Sequence, residues 1–310
     1  MSTGLTRSAT VYKYKDLKMA TKTWIGTDSG NEGDYGTAAN WSPSGVPIAA
    51  DDVIIANSSQ DITGTLDQSA VALASITIDQ SFTGLIGSSD SDFLEIAASA
   101  AVIGQRRSTT GSFTGSKRLN LDFGSSTACQ ITVNGTASTG QDANRQPLRI
   151  RAVNASTDIQ VYAGSLAVSD DSSNSSTVGD ISVNGGSVNI GASVTLTNLI
   201  TSGGIINIDS SVTTATIKGG TVNFYDSTAA STIGTLTASS AAIINHYATG
   251  TITTLNHNGG TIDLTKTQLA KTVTTYTADK GAVLITDSGT VTLTNDIALA
   301  SSKKLTISIN

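Results

Sequence analysis

A five-residue phrase recurs through the C-terminal part of this chain and limits what it can fold into: Gly186-Ser-Val-Asn-Ile, Gly204-Ile-Ile-Asn-Ile, Gly220-Thr-Val-Asn-Phe, Ala242-Ile-Ile-Asn-His, Gly260-Thr-Ile-Asp-Leu and, more loosely, Gly281-Ala-Val-Leu-Ile. Successive copies lie 18, 16, 22, 18 and 21 residues apart. A phrase that persists while its spacing varies marks stacked repeats, in which strands keep register and turns absorb insertions. Thr-rich runs such as Val194-Thr-Leu-Thr, Val212-Thr-Thr-Ala-Thr-Ile, Ile252-Thr-Thr-Leu and Val273-Thr-Thr-Tyr precede the copies. Two or three strands in about 20 residues leave no room for a helix of average length.

Strand periodicity turns the phrase into a geometry. Its second and fourth residues after the glycine face one way. These are Val188/Ile190, Ile206/Ile208, Val222/Phe224, Ile244/His246, Ile262/Leu264 and Val283/Ile285, the expected core. The residues between them, Asn189, Asn207, Asn223, Asn245 and Asp263, then face outward. At the ~4.8 Å spacing of adjacent strands they are expected to form an external amide ladder. The glycines supply turn conformations that other residues reach only at a cost.

Composition agrees. Serine and threonine supply 88 of 310 residues, and there are just two glutamates, Glu32 and Glu95. Helix surfaces want Glu, Lys, Arg and Ala, whereas Thr, Val and Ile suit a pleated strand. The fold class is therefore all-β, and the stacked repeats make it a parallel β-helix, a solenoid. The net charge of −6 argues against a general nucleic-acid binder. One cysteine, Cys129, excludes an internal disulfide framework and a Cys-based zinc site, and reads as a small buried hydrophobe. No run of about 18 apolar residues exists to span a membrane, and no signal-peptide core is visible near Met1. Synthesis in the cytoplasm is the expectation.

The chain divides into three parts. Residues 1–22 form a basic arm carrying Arg7, Lys13, Lys15 and Lys18, and Met19 could itself start translation. Residues 23–157 hold an N-terminal cap and the first repeats, with an irregular β segment or inserted lobe near 104–157. That segment is rich in Arg106, Arg107, Lys117, Arg118, Arg145, Arg149 and Arg151, read as solvated arginines or as a docking surface for an acidic partner. Residues 158–310 hold the regular repeats and a closing strand, Lys303-Lys-Leu-Thr-Ile-Ser-Ile-Asn, whose lysines would blunt an open edge. At the other end Trp24, Trp41, Pro43 and Pro47 gather in one stretch, and the tryptophans are expected to cover the first repeat.

The run Ala39-Asn-Trp-Ser-Pro-Ser-Gly-Val-Pro followed by Asp51-Asp-Val-Ile-Ile resembles the opening segment of β-helical surface proteins, among them bacteriophage virion proteins and bacterial adhesins. The motif covers roughly a tenth of the chain, and the Gly-x-Val-Asn-Ile repeats extend the likeness. Without a signal peptide the virion branch fits better than the adhesin branch. That resemblance implies a non-enzymatic spike, fibre or decoration protein, a homotrimer contacting other capsid or tail proteins in a virion assembled in the host cytoplasm.

Two other functions stay open, a glycan-binding and a glycan-cleaving attachment protein. For binding, Tyr225, Tyr247 and Tyr276 offer stacking surfaces beside the ladder. Cleavage needs two carboxylates about 5–10 Å apart. Asp209, Asp226, Asp263 and Asp287 share no column of the phrase alignment, so no catalytic residue is assigned. His246 takes an inward position and His257 falls in the turn Asn256-His-Asn-Gly-Gly, neither with partners at metal-ligand spacing. No cofactor or metal is expected.

Overall fold

The computed structural model describes residues 19–89, 91–104, 118–124, 126–135, 146–169, 175–226, 230–279, 281–287, 289–299 and 306–309. The basic arm up to Lys18, the residues Arg106, Arg107, Lys117 and Arg145, and the lysines 303 and 304 lie outside the described residues. The protein is all-β. Its described strands form one sheet, and the only regular helical element among the described residues is a three-residue 3-10 turn at Ala38–Asn40. Apart from Thr21–Trp24 against Trp41–Ser42, the strand pairings are parallel.

Two interleaved stacks run through the sequence. In the first, Leu119–Phe123, Leu148–Ala152, Ser165–Val168, Ser187–Ile190 and Ile205–Ile208 pair in succession, and the ladder continues through Thr221–Phe224, Ile243–His246, Gly260–Asp263 and Ala282–Thr286 to Thr306–Ile309. The second stack joins Gln130–Val133, Asp158–Val161, Ser176–Val183 and Val194–Thr201, and then the first halves of Val212–Phe224 and Ile233–His246, to Thr251–His257 and Lys271–Ala278. Segment 104–157 therefore contributes described strands to both stacks in the same register as the later repeats. The inward residues of the two stacks, such as Leu148, Val188, Ile206 and Ile262 of one and Ile131, Ile181, Leu236 and Leu255 of the other, pack into one continuous apolar core. Each buried aliphatic side chain contributes about 1.5–3 kcal/mol, so the stacked column dominates stability.

The last copy of the phrase sits one residue off the expected register. Gly260 pairs with Ala282 and Ile262 with Leu284, so Ala282 and Leu284 are buried while Val283 and Ile285 are half-buried on the other face. Gly281 thus aligns with Gly259, the first of the glycine pair, rather than with Gly260. Gly186, Gly204, Gly220 and Gly260 have φ between 80° and 86°. They also stack closely: a Cβ on Gly186 would lie 2.4 Å from Gly164 O, and one on Gly204 would lie 2.7 Å from Gly186 O. Conformation and contact both require glycine there.

The tryptophans expected to cover the first repeat lie in one buried aromatic cluster. Trp24, Tyr35 and Trp41 are fully buried, with Trp24 and Trp41 edge-to-face at 5.2 Å and Tyr35 and Trp41 at 4.7 Å. Trp41 Nε1 donates to Tyr35 O at 2.8 Å. Asn40, fully buried, donates through Nδ2 to Asn31 O and Asp34 O and accepts from the Asp28 amide. Asp51 accepts from the amides of Ala20 and Ile48, and Asp52 accepts from Ser75 Oγ at 2.5 Å. The Ser42–Pro43 peptide is cis, Pro43 is exposed and Pro47 is buried. Lys22 Nζ donates to Pro43 O and Ser44 O at 3.1 and 3.2 Å, tying that loop to the first strand.

Candidate functional site

Two columns of outward side chains run side by side along the first stack. One contains the asparagines. Asn207 Nδ2 donates to Asn189 Oδ1 at 2.9 Å, Asn223 to Asn207 at 2.8 Å, and Asn245 to Asn223 at 2.8 Å. All four are half-buried. Asp263, their register partner, accepts from the amide and hydroxyl of Thr265 and pairs with Lys266 at 3.0 Å. Burial alone would raise the Asp263 pKa, but the Thr265 and Lys266 contacts outweigh it and hold the carboxyl below its ordinary range.

The neighbouring column is set by the amides that follow each phrase. Tyr225 N donates to Ile208 O and Tyr247 N to Phe224 O, which places Asp209, Tyr225 and Tyr247 one above another. The two tyrosine rings stack at 4.7 Å with planes 14° apart. Tyr276, grouped with them in sequence, is withdrawn: it is 1% exposed on the inward side of the second stack, its hydroxyl 2.9 Å from His257 Nδ1. His257 is not in the turn. It ends the strand Thr251–His257, fully buried, with Nε2 3.1 Å from Gly260 O. A carbonyl only accepts, so Nε2 carries the proton and Nδ1 accepts from Tyr276.

The same column carries carboxylates at its other end, among strands outside the phrase alignment. Asp67 pairs in register with Glu95, Glu95 with Asp122, and Asp122 with Arg151. Arg151 Nη1 lies 3.4 Å from Asp122 Oδ2. An open cleft of about 380 Å³ is lined by Ser69, Glu95, Asp122, Gly124, Ser126 and Val153. Burial raises the pKa of both acids; the Asp67 and Asp122 charges add to the rise at Glu95, and Arg151 opposes it at both. The alternation of Leu94-Glu-Ile and Leu119-Asn-Leu-Asp-Phe was the available signal for this column.

Of the seven basic residues expected to form a solvated face or a docking surface, only Arg118, Arg149 and Arg151 are among the described residues, and none of these three is fully exposed. Arg118 and Arg149 are buried, and the guanidinium carbons of Arg149 and Arg151 lie 5.1 and 4.4 Å from the Phe93 ring centre. Phe93 supplies a cation–π contact to both guanidinium groups, so these two positions are used internally.

Other reactive side chains are enclosed. Cys129 is buried and its thiol is pushed up to about 12 by burial, which removes the thiolate that a nucleophile requires. Lys271, 3% exposed, donates to Thr267 O, Thr267 Oγ1 and Leu269 O. His246 is 1% exposed beside Phe224, and neither ring nitrogen has a hydrogen-bond partner among the described residues. No group of three His, Cys, Asp or Glu among the described residues is placed to hold a metal, and no described helix is long and apolar enough to cross a membrane. Comparison with protein-family models, with curated proteins and with solved structures gives no match.

Proposed function

We propose that the chain is a parallel β-helix acting as a non-enzymatic structural protein of a virus particle, exposed as a decoration, spike or fibre subunit that stabilises the particle or mediates attachment. The observation that carries this reading is the register of the first stack. One inward column runs without a break from Leu119 to Leu284, beside an asparagine ladder of three consecutive hydrogen bonds. A stack built that way is stiff along its axis and carries mainly polar side chains outside, with Ile205 and Ile243 exposed among them, which suits a projection. The Asn40-Trp41 and Asp51-Asp52 segment carries the resemblance to phage virion proteins that supports this reading. Mass spectrometry of purified particles tests the proposal: the chain should be present in stoichiometric amount, and its absence overturns it. Light scattering should give a trimer.

A second reading, a glycan-cleaving attachment protein, is favoured by one observation, the Glu95–Asp122 pair on adjacent strands above an open cleft. Against it stands the Arg151 contact that already occupies Asp122. Incubation with host surface polysaccharide separates the two: loss of polymer length supports cleavage, unchanged length the structural role.

A further inference from the structure

Four successive strands of the second stack hold two columns of outward side chains in register. Thr214, Thr235, Thr254 and Thr275 form one column, and Thr216, Thr237, Asn256 and Thr277 form the other. Between the columns Ala215, Leu236, Leu255 and Tyr276 turn inward and are buried, so each strand presents a pair of outward side chains two residues apart. The array therefore repeats about every 4.8 Å across the strands and about every 6.6 Å along them. All positions but Asn256 are threonine, whose branched Cβ holds a methyl and a hydroxyl in fixed directions. Thr275 Oγ1 accepts from Asn295 at 3.3 Å. The other threonine hydroxyls of the array make no hydrogen bond to a described residue, and none of them is sealed from solvent.

A ligand that engages the whole array must itself repeat in two directions, which a single small molecule does not. It must be uncharged, because no position of the array carries a charge. It must both donate and accept, as hydroxyls do, and offer hollows that take the methyl groups out of liquid water. Crystalline water has this character: on a prism face of ice the oxygens form a rectangular net whose two repeats lie close to those of the array, and each oxygen donates and accepts.

We propose that the Thr-x-Thr array from Thr214 to Thr277 is an ice-binding face. Water molecules held by the hydroxyls take lattice positions, and the methyl groups sit in the hollows between them. The face ends one strand before Thr214, where Asn198 is turned to Asp180 Oδ1 at 2.7 Å and Ile200 offers no hydroxyl. This activity goes beyond a structural role and does not rest on it, because purified chain should bind ice whether or not it is found in particles.

Slow growth of ice on a cooled probe in a solution of the purified full chain provides the test, with serum albumin as the protein that ice excludes. The expected result is incorporation of the chain well above albumin, together with faceted ice crystals under the microscope. Thr235→Tyr sets a bulky ring in the middle of the array and should bring incorporation down to the albumin level. Thr221→Tyr makes the same change on the outward side of the first stack, between Ile205 and Ile243, and should be incorporated as the parent is. If Thr235→Tyr fails to fold, Thr237→Lys places a charge on the array through a flexible stem and should lose incorporation to the same degree. Incorporation no greater than that of albumin, or unchanged in the array variants, overturns the proposal. So does light scattering in which the parent is an oligomer and Thr235→Tyr a folded monomer, with no incorporation by either, since the array is then a contact between copies of the chain.

Discussion

Phe224 and His246 are register partners on adjacent parallel strands, both buried, with ring centres 5.8 Å apart. An imidazole thus occupies a column otherwise filled by Ile190, Ile208, Phe224 and Leu264. Burial, reinforced by the Lys271 charge, pushes the His246 pKa down from 6.5 to about 4.

The sign of the resulting pH dependence follows. Between pH 6.5 and about 4 the unfolded chain binds a proton that the folded chain refuses. Stability from this site is complete above that window and is lost as pH falls through it. His246→Leu, which copies Leu264, should stabilise the protein. Its advantage over the parent should widen by about 2–3 kcal/mol on going from about pH 7.5 to about pH 4.5. Urea titrations at the two pH values measure this; a constant advantage would show that His246 is not held neutral.

Asn207 is bonded on both sides, whereas Asn189 accepts one ladder bond and faces Ala167 on its other side. Asn207→Ala should cost about 1–2 kcal/mol, and Asn189→Ala about half of that. Asn207→Asp should be at least as damaging as the alanine variant, since a carboxylate cannot donate to Asn189 Oδ1 and places like dipoles face to face. Denaturant midpoints of the three variants give the order.

Much of this ladder was legible because the glycine marks where each strand begins and the 16–22-residue spacing aligns the strands. Legibility failed where that marker was ambiguous. The doubled Gly259-Gly260 let Gly281 be matched to the wrong glycine, which moved Val283 and Ile285 to the core side by one residue. His257 looked like part of the following turn because Asn258 and two glycines adjoin it, yet the strand runs one residue further and buries it. The Asp67–Glu95–Asp122 column stayed hidden for a different reason. Its strands carry no phrase, and a column of carboxylates belongs to three distant segments that only register brings together. Tyr276 lies in a strand of the second stack and faces inward, whereas Tyr225 follows a strand of the first, a difference that composition does not reveal.

Gly204 and Gly281 separate two reasons for glycine. Both have φ of 84°, but a Cβ on Gly204 meets Gly186 O at 2.7 Å while one on Gly281 meets nothing within 4 Å. Gly281→Ala should cost only the left-handed backbone strain, about 1–2 kcal/mol. Gly204→Ala adds overlap with the neighbouring repeat and should cost about 1–3 kcal/mol more. Equal losses in thermal or urea unfolding would show that the repeats can part locally to admit a methyl group.

Trp24 and Trp41 are the only tryptophans in the chain, so its indole fluorescence reports the cap alone. Trp24 pairs in register with Ile55, and Val53–Ile55 in turn pairs with Ile76–Ile78, which joins the cap to the parallel ladder by backbone hydrogen bonds. The cap should therefore unfold with the ladder: the fluorescence transition in urea should coincide with the far-ultraviolet circular dichroism transition. The two indoles should also differ. Trp41→Phe loses the bond to Tyr35 O, whereas Trp24 Nε1 is buried without a hydrogen-bond partner among the described residues. Trp24→Phe thus removes an unsatisfied donor, and should be milder than Trp41→Phe by about 1–2 kcal/mol. A fluorescence midpoint well below the dichroism midpoint would mean that the cap opens independently and leaves the first repeat uncovered.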